Sequence, residues 1–127
     1  MFELTINEVV YQFNFGMGFM REINKTLSAP VEGNKDIKKN IGLRFKVASL
    51  FDGDLEALVE ILEAANKGQS PRVTRLLLDA YIDNPETDVD ALIEEVLDFL
   101  RNANATKKTV VAIDEAVAAE KAKRANN

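Results

Sequence analysis

Polar and apolar positions alternate strictly at the start of the chain. Phe2, Leu4 and Ile6 interleave with Glu3, Thr5 and Asn7. Tyr11, Phe13 and Phe15 interleave with Gln12 and Asn14. A period of two predicts half-buried strands. Asn7-Glu8 between the runs predicts a tight hairpin turn, because Asn tolerates the positive φ such turns need. A lone hairpin is marginal in water, so this one has to pack on the segments that follow.

From Phe19 the period changes. Phe19, Met20, Ile23 and Leu27 recur at helical steps. Residues 29–40, APVEGNKDIKKN, carry Pro, Gly, Asn and Lys and predict a mobile loop. Ile41, Phe45, Ala48 and Phe51 predict a helix up to the Asp52-Gly53-Asp54 break. Asp54 is placed to cap a further helix with Leu55, Leu58, Val59, Leu62 and Ala65 on one face, and Gly68 sits at its C-terminal cap. Ser70-Pro71 predicts the start of a helix carrying Val73, Leu76, Leu77, Ala80 and Tyr81, which Asn84-Pro85 ends. Thr87 or Asp88 caps the next, whose stripe is Val89, Leu92, Ile93, Val96, Leu97 and Leu100. From Asn102 the pattern weakens. Val110, Val111, Ile113, Ala116 and Val117 are small apolar positions in an Ala-rich stretch that reads as a docked helix or as a tail that orders on binding.

The pattern predicts an α+β fold, an N-terminal β-hairpin packed on a mostly helical body of about five helices. Residues 1–106 read as a single domain and residues 107–127 as an Ala/Lys-rich C-terminal helix or flexible tail. With 127 residues and 46% hydrophobic content, one modest core is feasible without cross-links. Cys and His are both absent, which removes thiol chemistry, the usual zinc site and the commonest general base. The net charge is −5, the wrong sign for a generic nucleic-acid binder. It is unevenly spread: residues 1–106 hold 11 Lys/Arg against 18 Asp/Glu, whereas residues 107–127 hold 5 against 3. No apolar run approaches the ~20 residues of a membrane helix, and the N-terminus has no basic, signal-like start. A soluble cytoplasmic protein is expected, without nucleic-acid or membrane partners.

Candidate chemistry is thin. Gly16-Met17-Gly18 before a helix could be read as a phosphate loop, but neither the Gly-Lys-Ser/Thr ending nor a third glycine in a βαβ unit is present. A close-packed strand-to-helix hinge is the stronger reading. The acidic set Glu86, Asp88, Asp90, Glu94, Glu95 and Asp98 begins like a calcium loop, but it lacks the central Gly and contains Pro85. Segments 70–82 and 88–100 could form a helix-turn-helix, although the second is acidic where it would meet phosphate. No metal, cofactor or catalytic residue is assigned. The aromatic N-terminus is more informative. Tyr11, Phe13, Phe15, Phe19 and Met20 are the candidate contact patch, weighed against the plainer reading that they are core. Lys107 and Lys108 open the basic tail and are the second contact candidate.

The hairpin FELTINEVVYQFNFG, the joint FGMGFMREINK and the segment VDALIEEVLDFLRNANATKK resemble the tail assembly chaperones of long-tailed phages of Gram-positive bacteria, over about residues 2–110. Asn7-Glu8 stands where that family often shows Asn-Gly. The resemblance implies a non-enzymatic protein that coats the tape measure protein, keeps it soluble and helps recruit the tail tube protein. It also implies self-association into a homo-oligomer, action in the host cytoplasm and absence from the mature virion. A longer frameshifted product is common in the family. The rivals are another phage or bacterial adaptor, a small DNA-binding regulator, and a carboxylate-based enzyme.

Overall fold

A computed structural model describes residues 1–31 and 33–125. Strands β1 (Phe2–Ile6) and β2 (Val9–Phe13) form an antiparallel hairpin in which Phe2 faces Phe13 and Ile6 faces Val9. Asn7 and Glu8 both have positive φ, 52° and 67°, the mark of a two-residue type I′ turn. Phe2, Leu4, Ile6, Tyr11 and Phe13 point inward, as the alternation predicts, while Glu3 and Thr5 face solvent. Helix α1 (Met17–Asn24) follows, burying Phe19 and Ile23.

Residues 29–40 depart from the predicted loop. Strands β3 (Ser28–Val31) and β4 (Asn34–Asn40) make a second antiparallel hairpin, with a register shift between Pro30 and Val31. Gly33 turns the chain at φ +83°, a conformation open to glycine at little cost. The Ile41 amide donates to the Leu27 carbonyl at 2.9 Å and closes the base. Backbone pairing carries this hairpin; its sequence has no apolar alternation to reveal it.

Helices α2 (Gly42–Phe51), α3 (Leu55–Asn66), α4 (Arg75–Asp83), α5 (Val89–Asn102) and α6 (Lys107–Ala125) complete the described chain. Helix α3 is central and touches β2, α1, α2 and α4. It buries Ala57, Leu58, Val59, Ile61, Leu62 and Ala65, more than one stripe, while Leu55 is exposed. Each fully buried Leu or Ile there contributes about 1.5–3 kcal/mol. Its start is the predicted one: the Asp54 carboxylate accepts from the Glu56 and Ala57 amides. Gly68, just past its end, has φ +86°.

Two predicted faces are corrected. On α2 the buried residues are Gly42, Leu43, Val47 and Leu50, and Phe45 is exposed. Of the predicted row, Ala48 and Phe51 are partly buried against the core, so the correction concerns Phe45 and the fully buried row Leu43, Val47 and Leu50. Gly42 fixes the rotation: a Cβ there would lie 2.0 Å from the Ile23 carbonyl oxygen, so only a glycine face lets α2 approach α1 this closely. On α4 the N-cap is Thr74, not Ser70; its hydroxyl accepts from the Leu77 amide at 3.2 Å. Leu78 is the buried residue of that helix and Leu76 is 79% exposed. Residues 70–73 are held out of the helix by the fully buried Asn66. Its amide group donates to the carbonyls of Gln12 (2.9 Å) and Pro71 (3.3 Å), and its carbonyl accepts from the Val73 amide (2.7 Å) and the Arg72 guanidinium (2.8 Å).

Helix α5 matches its predicted stripe, with Leu92, Ile93, Val96, Leu97 and Leu100 buried and Asp88 accepting from the Ala91 amide at 3.0 Å. The Ala-rich end is helix α6, docked through Val110 and Ile113. Arg101 donates through Nε and Nη2 to the two carboxylate oxygens of Asp114, at 2.8 and 3.1 Å, and so clamps α6 to α5. The buried Thr106 hydroxyl donates to the Leu100 carbonyl at 2.6 Å and fixes the bend between them.

Candidate functional site

One end of the first hairpin stacks its rings against the C-terminal part of α5. Phe2 lies 5.7 Å from Phe13 and 5.1 Å from Phe99, centroid to centroid. Phe15 meets Phe19 edge-on at 5.1 Å. Such pairs add about 0.5–1.5 kcal/mol each beyond their burial. Where the hairpin, the start of α1 and the α5–α6 bend meet, the cluster opens into a cleft of about 510 Å³. Phe2, Phe13 and Phe15 form its floor, and Met1 (64% exposed), Met17 (47%) and Phe99 (37%) form its rim. Asn14, Asn102 and Asn104 add polar edges, and no charged side chain lines it.

Of the candidate patch, Tyr11, Phe13, Phe15 and Phe19 are buried, and Met20 is partly buried against the same core. These rings support the surface from beneath instead of presenting it freely, because α3 and α5 cover the hairpin face that carries them. The exposed apolar residues beside them are Met1, Met17 and Phe99, which the periodicity did not single out. A signal existed. Phe99 is a large apolar residue off the Leu92–Val96–Leu100 stripe of α5, and Met17 is out of phase with Phe19 and Ile23.

Lys107 and Lys108 are exposed at the start of α6. Together with Arg101, Val111, Ala112 and Glu115 they border a separate shallow groove of about 400 Å³. Lysines at a helix N-terminus gain nothing from its dipole, so helix stability does not account for them.

The glycine joint is not a phosphate cradle. Gly16 is the N-cap of α1 with φ −91°, an extended conformation open to any residue. A Cβ on Gly18 would meet nothing within 4 Å. Among the described residues no three carboxylates converge on a point that could hold a metal ion. The charges that interact do so in ion pairs. Lys67 donates to the Glu22 carboxylate at 2.9 Å and holds it below its ordinary pKa. Arg101 is raised above the usual guanidinium value, first by Asp114 and then by Asp98. Arg75 is raised by Glu63, 2.5 Å away, and Lys46 pairs with Glu60. The exposed side of α5 is left acidic, with Asp90, Glu94, Glu95 and Asp98 all exposed. No helix among the described residues is long and apolar enough to cross a membrane.

No curated protein and no solved structure matches the chain. A family model described as "Phage tail assembly chaperone protein, TAC" matches residues 3–115, from the first strand into α6, and so takes in the aromatic cleft apart from Met1 and Phe2. The chain belongs to this phage tail assembly chaperone family.

Proposed function

We propose that this chaperone binds the tape measure protein and keeps it soluble during tail assembly, and that it helps recruit tail tube subunits to the complex. The observation that carries the reading is a ring-floored cleft without a charged side chain, with exposed Met1, Met17 and Phe99, on an otherwise acidic protein. A long helical partner exposes apolar stripes that aggregate when bare. A small acidic protein that covers them with an apolar surface and turns its charge to solvent keeps the complex dispersed. Many copies along one partner favour homo-oligomerisation, for which the groove beside Lys107 and Lys108 is a second contact surface. Action in the host cytoplasm, absence from the virion and a purely non-enzymatic role belong to the same reading. A cleft without a charged side chain offers no general acid or base. The acidic outer side of α5 argues against a helix-turn-helix regulator, since it would face phosphate.

The test is co-expression of the full chain with the tape measure protein of the same phage, followed by size-exclusion chromatography. Co-elution of a tape measure that is insoluble alone is the expected result. A tape measure that is soluble by itself and never co-elutes overturns the proposal.

A further inference from the structure

Two grooves away from the aromatic cleft carry opposite charge. The first lies between the start of α3 and the end of α4, with a volume of about 260 Å³. Leu55, Val59 and Ile82 line it together with Glu56, Asp79 and Asp83. Leu76, exposed one turn before Asp79, extends its apolar side. None of these three carboxylates enters a described ion pair, and Arg75, the cation one turn before Asp79, is held by Glu63. The second groove is the one at the start of α6, where Lys107 and Lys108 flank the exposed Val111 and Ala112. Its other charges are Arg101, taken up by Asp98 and Asp114, and Glu115, about two turns beyond the lysines. Neither lysine enters a described ion pair.

Both charge sets oppose the helix that carries them. Asp79 and Asp83 lie toward the C-terminal, negative end of the α4 dipole, whose last turn holds no basic residue. Lys107 and Lys108 open α6 at the positive end of its dipole, where the first turn holds no acidic residue. Each set is unfavourable on its own helix and complementary to the other. The two grooves share no lining residue. Asp83 ends α4 shortly before α5 begins, and Arg101 stands near the end of α5, whose 14 residues span about 21 Å. We infer that these grooves join copies of this chain head to tail: the face of one copy that carries Lys107, Lys108 and Val111 docks in the next copy's groove of Glu56, Asp79 and Asp83. This supplies a joint for the homo-oligomer of the proposed function and rests on that part of the reading. Docking sets the lysines against carboxylates and against the carbonyl end of α4, and sets the carboxylates against the amide end of α6. Val111 meets Leu55 and Leu76, which are exposed in the single chain. The contact is heterologous, so each added copy offers a further groove and the assembly runs on as a filament or closes as a ring.

Sedimentation velocity of the full chain over a concentration series tests this with two charge reversals. Lys107→Glu/Lys108→Glu makes both grooves acidic, and Asp79→Lys/Asp83→Lys makes both basic. All four positions are exposed, and each reversal suits the dipole of its own helix, so both variants are expected to keep at least the parent's Tm in dilute solution. The parent is expected to self-associate at low salt, and more than about tenfold less tightly at about 1 M salt, where the screening length is about 3 Å. Each variant alone is expected to associate more than about tenfold less tightly than the parent, and an equimolar mixture of the two to recover association, because the reversed faces again oppose. A parent that stays monomeric throughout, variants that associate like the parent, or a mixture no better than its components overturns the inference. The co-expression experiment separates the two levels. If the tape measure co-elutes while the mixture fails to recover, the chaperone reading stands and this joint falls. If the mixture recovers while the tape measure never co-elutes, the reverse holds. Loss of the tape measure in Lys107→Glu/Lys108→Glu, with the parent monomeric, assigns the α6 groove to the tape measure and overturns the joint.

Discussion

Replacing Gly42 by Ala adds one methyl group at the tightest point of the fold. The new Cβ would sit 2.0 Å from the Ile23 carbonyl oxygen, 2.6 Å from the Thr26 hydroxyl and 3.0 Å from the Asn24 carbonyl carbon. A comfortable carbon–oxygen approach is about 3.3 Å, so α1 and α2 must part by more than an ångström. Two of the three obstacles are backbone, which no rotamer change can move. The same carbonyl accepts from the Thr26 amide at 3.2 Å and from its hydroxyl at 2.7 Å, and the Leu43 amide donates to the Asn24 side chain at 3.3 Å. Overpacking of this kind costs about 1–3 kcal/mol, and each hydrogen bond lost adds about 1 kcal/mol. Helix propensity returns at most about 1 kcal/mol in favour of Ala. The net expectation is a loss of about 2–3 kcal/mol, or roughly 10 °C in Tm for a chain this size. Gly18→Ala is the internal control. It is exposed, helical and clear of neighbours within 4 Å, so the same change should stabilise by about 0.5–1 kcal/mol. Urea denaturation followed by circular dichroism reads both. Opposite signs support the packing argument; a Gly42→Ala protein as stable as the parent refutes it.

Asn66→Ala should cost about 3 kcal/mol in urea denaturation, since the buried Val73 amide and the Gln12 carbonyl both lose a partner; a loss under 1 kcal/mol would show that water replaces them. Glu8→Gly should stabilise by about 0.5–1 kcal/mol, because it relieves a left-handed residue at φ 67° that costs about 1–2 kcal/mol, less the entropy glycine loses on folding. No gain in Tm would mean that the turn relaxes in solution. Glu22 titrates below its ordinary 4.5, so its contribution is fully present above about pH 4.5 and is lost as pH falls through the lower folded value. In Lys67→Met its NMR-detected titration should move up toward the ordinary value; an unmoved midpoint would rule out Lys67 as the cause.

The elements that could be read from the chain are those whose partners lie within one turn or one strand. Phe2–Leu4–Ile6, the Asp54 and Asp88 caps and the α5 stripe each declare themselves locally. The misread places depend on residues far apart in sequence. Thr74 starts α4 because Asn66 claims Pro71 and Val73 first. The α2 face follows from the close pass of Gly42 over Ile23. The second hairpin is paired through its backbone, and its sequence has no hydrophobic period to detect. At the site the sequence located the aromatic neighbourhood but not its surface. Periodicity identifies core faces, and Phe99 and Met17 escape it because they stand off those faces.

The contact between Phe2 and Phe99 joins side chains almost a hundred residues apart in the chain. At about 5–20 residues per second, the hairpin rings wait roughly 5–20 s on the ribosome before α5 emerges to cover them. During that interval Phe2 and Phe15 lack their last ring neighbour, although α3 can already lie against β2. This tail assembly chaperone thus passes through a nascent stage in which its own apolar surface is uncovered. Its production is sensitive to any pause in translation between α3 and α5.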